Sequence, residues 1–265
     1  MNERLCLWMA FVCYVAASAL TARRLQRREA AGSLHGVNVA IMVVGFLLHT
    51  LALYLRGQHL HRCPVTNIFE VQMFIAWSAV LFYLLIGPSY RVSFLGAFTA
   101  PLVAMVVLTV LLAPVDVTAH VPKKHSAWVE FHAAIGIIAC GALALASVMG
   151  AMYLVQERQL KSRHRSVLLF LLPAVDQLDV IGIRLTILGF VLLTVGMIGG
   201  AISNRVVGAW PWPKTLWAMV TWMLYGSLLA ARVTGAWRGR KGAVGAIVLF
   251  VFMLAAYWGA TWLAR

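Results

Sequence analysis

The chain has 265 residues, of which 62% are hydrophobic and only 11% charged, and its mean hydropathy is +0.87. A water-soluble domain averages about 45–50% apolar and roughly 25% charged residues, so an aqueous core does not accommodate this sequence and lipid is its solvent. That excludes a soluble enzyme, a disordered chain and a secreted disulfide scaffold. The net charge of +14, from 22 Lys and Arg against 8 Asp and Glu, sits in short tracts between apolar runs. This is the pattern that orients a polytopic membrane protein, not one that binds nucleic acid.

The fold class expected is all-α, a membrane helix bundle of about eight transmembrane helices, each needing about 20 apolar residues. In chain order the predicted spans are Leu5–Ala22, Val37–Leu55, Ile68–Ile86, Val92–Ala113, Trp128–Val155, Val180–Ile202, Leu216–Val233 and Ala243–Leu263. Met1–Ala22 ends in Arg23, Arg24, Arg27 and Arg28 and shows no cleavage pattern, so it reads as a first span with its N-terminus outside. The segment Ser166–Asp179, broken by Pro173 and Asp176, is too short to span and is placed at the surface. With both termini outside, fourteen of the bases fall on inner connections and eight on outer ones, the asymmetry expected of a cytoplasmic excess. Residues 1–265 read as one transmembrane domain, with no internal repeat and no low-complexity tract.

Polar groups at membrane depth are costly and mark candidate sites. His49 lies toward the outer end of the second span and His132 about one turn into the fifth. Neutral imidazole is a good iron ligand, and the alternative role for each is a hydrogen bond to a neighbouring helix. The third span opens Pro64-Val65-Thr66-Asn67-Ile68-Phe69-Glu70. Asn67 suits a helix cap and Glu70 the first turn, which favours a structural carboxylate over a catalytic acid. His59, His61 and Cys63 form an HxHxC string, weak evidence for a metal site. Between the sixth and seventh spans lies Trp210-Pro211-Trp212-Pro213-Lys214-Thr215-Leu216-Trp217. An interfacial aromatic belt explains tryptophans there, but prolines on either side of Trp212 stiffen this segment beyond what a belt needs. A rigid indole shelf suits a flat, conjugated ligand, and Lys214, with Lys123 and Lys124, suits its carboxylates.

From His49 onward the sequence resembles the cytochrome c assembly proteins, the family of the system II haem lyase membrane subunit, the system I haem-handling protein and the HemX-like proteins. The resemblance covers about residues 37–265. It is carried by "HTLALYLRG…CPVTNIFEVQMFIAW", by "SAWVEFHAAIGIIACGALALASVMGAMYLVQERQLK", where His132 stands at the position of an external haem-ligating histidine, and by "AWPWPKTLWAMVTWMLYG". The last is similar to a tryptophan-rich haem-binding signature of the form W-x-W-D-P-K-E-x-W. Trp210, Trp212, Pro213, Lys214 and Trp217 match it, while the Asp is missing and Thr215 replaces the Glu. The histidine of the following span is absent, with Ala230 or its neighbours in its place, and no histidine follows His164. The incomplete ligand set points to the HemX-like branch.

The resemblance implies an inner-membrane haem-binding or haem-handling protein of cytochrome c assembly, in the bacterial cytoplasmic membrane. His132 and then His49 would hold the iron of a b-type haem, with Trp210, Trp212 and Trp217 stacking and Lys214 meeting propionates. Haem handling, not turnover, is the activity implied. The partners implied are another assembly subunit or an apocytochrome, and the bilayer. The alternative is a HemX-like membrane regulator or interaction protein in haem biosynthesis, without stable haem of its own.

Overall fold

In the computed structural model, residues 2–27, 35–65, 67–89, 95–112, 127–162, 172–207 and 212–263 are described. They form eight helices: α1 (Glu3–Arg27), α2 (His35–Leu60), α3 (Ile68–Ser89), α4 (Leu95–Leu112), α5 (Ala127–Lys161), α6 (Val175–Val207), α7 (Trp212–Val233) and α8 (Arg240–Leu263). Each predicted span lies on one of them over its described residues, residues 92–94 and 113 of the fourth lying outside these, and there is no strand among the described residues. Among the described residues, seven of them, α1 to α7, are long and apolar enough to cross a membrane. The bundle wears its apolar side chains outward, as a protein solvated by lipid does: Val12, Leu47, Met105 and Ile198 are all exposed.

One expectation is corrected. The residues up to Asp179 do not all belong to a surface segment, because α6 begins at Val175, with Leu178 N–H already bonded to the Ala174 carbonyl. Asp176 in its first turn complements the positive helix end, and Pro173 stands just before it. Asp179, in the second turn, pairs with Arg232 at the far end of α7, whose side chain is almost wholly buried. The polar residues that looked like a break are the start of the helix and its ion pair.

The described residues divide into two compact units, residues 1–121 with 158–173, and 122–157 with 174–265. In the first, α1 packs on α2 and α4, and α3 on α2 and α4. Its fully buried side chains include Leu7, Tyr14, Met42 and Met73. In the second, Leu143 and Ala144 of α5 meet Tyr225 and Leu228 of α7 and Phe250 and Met253 of α8. Residues 141–150 of α5 are buried on every face. Their small side chains let other backbones approach: a Cβ on Gly150 would lie 2.7 Å from the Ala243 carbonyl oxygen.

A short pattern recurs between the units. Gly45-Phe46-Leu47-Leu48-His49-Thr50 on α2 and Gly189-Phe190-Val191-Leu192-Leu193-Thr194 on α6 share Gly, Phe, Leu and Thr at the same spacing. In the first unit Trp77 of α3 donates its indole N–H to Thr50 Oγ1 at 2.8 Å and stacks on Phe46 at 5.2 Å. In the second, Trp222 of α7 donates to Thr194 Oγ1 at 2.9 Å and stacks on Phe190 at 5.3 Å. The same clamp thus fastens a helix to the one before it in each unit. Four identical residues in six are too short a match to register as a repeat; the matching hydrogen bonds and stacks reveal it. Trp222→Phe keeps the stack and loses the bond, and Thr194→Val loses the same bond. Each is expected to cost about 1 kcal/mol. In thermal unfolding of purified protein the double variant should lose no more than the worse single one. Fully additive losses would contradict the shared bond.

Candidate functional site

In the first unit the polar residues gather where α2 ends and α3 begins. Asn67 Oδ1 accepts the Glu70 backbone N–H at 2.7 Å, and Asn67 Nδ2 donates to Glu70 Oε1 at 3.2 Å, so the two residues tie off the start of α3. Glu70 is completely buried. Its oxygens take Arg62 Nη1 at 3.1 Å and Arg56 Nη2 at 3.3 Å. Arg56 also reaches Glu3 at 2.8 Å and lies over the Phe69 ring at 5.4 Å. The reading of Glu70 as a capping carboxylate agrees with this geometry. The arginines and Glu3 carried no sequence signal, because each looked like an ordinary interfacial charge. In the HxHxC string, His61 ends α2 in the left-handed region, at φ 50°. Its N–H bonds Gln58 O and that of Arg62 bonds Gly57 O, a reversal that turns Arg62 back toward Glu70. No group of three His, Cys, Asp or Glu suited to a metal ion occurs among the described residues. Beside this network opens a groove of about 300 Å3 lined by Tyr54, Phe74, Trp77, Pro64 and Cys63.

His49 is enclosed in the same unit with no exposed surface. Tyr14 Oη lies 3.2 Å from its Nδ1, while its Nε2 is buried without a hydrogen-bond partner among the described residues. An imidazole nitrogen buried without a partner is costly, and its lone pair or proton is available to an additional group.

His132 belongs to the second unit, in the second turn of α5. Its Nδ1 meets the Gly196 carbonyl of α6 within hydrogen-bond distance. A carbonyl only accepts, so the neutral ring carries its proton on Nδ1 and its lone pair on Nε2. Nε2 has no partner among the described residues. The ring lies against Gly200, two turns before α6 ends at Val207, which is about 10 Å along the helix axis. Since α7 starts at Trp212, the first turns of α5 and α7 and the last of α6 belong to one end of this unit.

The tryptophans divide by surroundings. Trp210 lies outside the described residues. Trp212 is 69% exposed at the start of α7, where Lys214 also lies. Trp217 is half-buried and packs on Phe252 of α8 at 5.8 Å, so part of its face already serves the bundle. Trp222 belongs to the clamp on α6.

A family model described as "Cytochrome C assembly protein" matches residues 65–265. The chain belongs to the cytochrome c assembly protein family. Curated relatives agree with the placement. It is 29% identical over 257 residues to the cytochrome c biogenesis protein CcsA of Mesostigma viride, covering 86% of this chain and 83% of that one. To CcsA of Prochlorococcus marinus (strain MIT 9301) it is 29% identical over 249 residues, covering 84% and 81%. To CcsA of Chlorella vulgaris it is 30% identical over 251 residues, covering 82% and 80%. The family expected from the sequence is thereby shown, and the relatives bear the CcsA name, not that of the HemX-like branch. A multi-pass membrane protein of cytochrome c assembly is the class to which fold and family together assign it.

Proposed function

We propose that this protein holds haem and passes it on during cytochrome c assembly, as a CcsA-type membrane subunit, with His132 as the iron ligand. The observation that carries the reading is the His132 ring: a proton fixed on Nδ1 by a backbone carbonyl, and an Nε2 lone pair without a partner among the described residues. Ligating histidines are commonly held in this way. A bound haem supplies iron for Nε2, a flat face for indoles and carboxylates for cations. Trp212, exposed at the start of α7, provides stacking area with Trp210 and Trp217, and Lys214 is the cation for a propionate. His49 is the second candidate for the iron. Its Nε2, without a hydrogen-bond partner among the described residues, fits the donor chemistry, whereas its complete enclosure puts it behind His132.

In this reading the haem is b-type, bound through protein side chains and not covalently. Residues 1–265 act as one transmembrane domain in a bacterial cytoplasmic membrane, with both termini and the tryptophan segment outside. The base distribution supports that orientation. The apocytochrome or another assembly subunit is the partner, and the protein delivers its cargo without a turnover of its own.

Haem retention by the purified protein tests the stacking role. Trp212→Ala should lower the haem kept through detergent purification several-fold and leave the absorption maxima unchanged, since the ligands persist. Trp212→Phe should retain more than Trp212→Ala, because a flat ring remains. Altered maxima in Trp212→Ala, or equal retention in all three proteins, would contradict it.

A further inference from the structure

Helix α6 turns a run of glycines, Gly196, Gly199 and Gly200, toward the first turns of α5. They are not equivalent. A Cβ at Gly196 would sit 3.4 Å from the Gly136 nitrogen, and one at Gly199 would sit 3.3 Å from Phe131 Cδ1, contacts that small adjustments absorb. A Cβ at Gly200 would sit 2.8 Å from both His132 Cε1 and His132 Nδ1. Those are atoms of the imidazole itself, on the edge that bonds the Gly196 carbonyl. The ring therefore occupies the space where every other residue type has a side chain.

We propose that Gly200 is a positioning residue for His132: its missing side chain seats the imidazole against α6, so that the Gly196 carbonyl holds the proton on Nδ1 and Nε2 is left to bind iron. The inference rests on the reading of His132 as a haem ligand and adds what sets the state of that ligand. Any side chain at 200 pushes the ring away from α6. The Nδ1 bond is then lost, and with it the preference for the tautomer whose lone pair is on Nε2. Both ring orientation and basicity of a ligating histidine depend on the partner of its other nitrogen, and losing such a partner costs roughly 10–100-fold in metal affinity. The site thus has two parts on α6, a carbonyl that accepts and a glycine that makes room. The carbonyl belongs to every residue, so only the glycine leaves a trace in the sequence.

The test uses full-length protein in detergent and two readouts. The first needs no haem. In protein labelled with 15N-histidine, with the His132 signals assigned by their loss in His132→Asn, the wild type should show a protonated Nδ1 and an unprotonated Nε2. Gly200→Ala should lose that state. Gly136→Ala, on α5 where a Cβ would meet nothing within 4 Å, should keep it. The second readout is titration with iron protoporphyrin IX, in which Gly200→Ala should bind 10–100-fold more weakly than wild type and Gly136→Ala like wild type. A proton on Nε2 in the wild type overturns the proposal whether or not any variant folds. So does an unchanged tautomer in Gly200→Ala, or a changed tautomer with unchanged affinity; a lowered melting temperature alone would mark Gly200 as a packing residue. The expected tautomers together with a wild type that takes up no haem would remove the iron-binding role and the proposed function with it, leaving only the seating of the ring.

Discussion

His132→Ala is expected to remove most of the Soret absorbance of the purified protein. The variant deletes the only imidazole in its unit whose proton is fixed on Nδ1 by a backbone carbonyl, among the described residues. Packing around it is expected to tolerate the change. The ring is half-buried and faces Gly200, which has no side chain, so alanine at position 132 leaves open space and forces no new contact. Added imidazole should restore part of the absorbance by filling the vacated position, which a globally disrupted protein would not allow. His49→Ala separates the two candidates. That ring is fully enclosed and bonded to Tyr14, so its loss should lower stability more than His132→Ala does and change the spectrum less. The opposite ranking, with His49→Ala bleaching the protein and His132→Ala leaving it coloured, would transfer the iron to His49.

Glu70→Leu is expected to have the largest effect on folding. It removes the one carboxylate that both Arg56 and Arg62 share, from a position without solvent exposure. Removing one partner of a buried pair costs about 3–5 kcal/mol, against a typical total stability of roughly 5–15 kcal/mol. Glu70→Gln should fall between wild type and Glu70→Leu, since its carbonyl oxygen still accepts from one guanidinium and Asn67 keeps a partner. Adding Arg62→Met to Glu70→Leu should restore part of the loss, because a guanidinium left uncompensated is then gone. Accumulation in membranes and thermal unfolding in detergent report all three. A Glu70→Leu protein as stable as wild type would show that the network contributes nothing to folding.

Periodicity and hydropathy located all eight helices, since a membrane helix must satisfy its backbone internally and declare itself by apolar length. The same argument missed how far α6 reaches. In the sequence Pro173 and Asp176 break the segment that runs to Asp179, whereas Asp176 complements a helix start and Asp179 pairs with Arg232 more than fifty residues away. Long-range partners of this kind do not show in a local window. Glu70 was legible because Asn67 lies three residues before it, a local signature; Arg56, Arg62 and Glu3 were not, because their convergence depends on the end of α2 folding back at His61. His132 was legible as a histidine in an apolar run, and the family resemblance marked it as a ligand. Its Gly196 partner is a backbone atom, and the clearance at Gly200 is the absence of one. The carbonyl has no side-chain signature, and the glycine alone does not show which side chain it makes room for.

The proposed function requires that this membrane protein holds haem. The most direct measurement is the reduced-minus-oxidised absorption spectrum of wild-type protein purified in detergent, recorded before and after addition of iron protoporphyrin IX. A Soret band with the visible bands of a b-type haem is expected, present on purification or acquired on addition, and largely absent from His132→Ala under the same conditions. A protein that is colourless and takes up no haem when offered it would contradict the account.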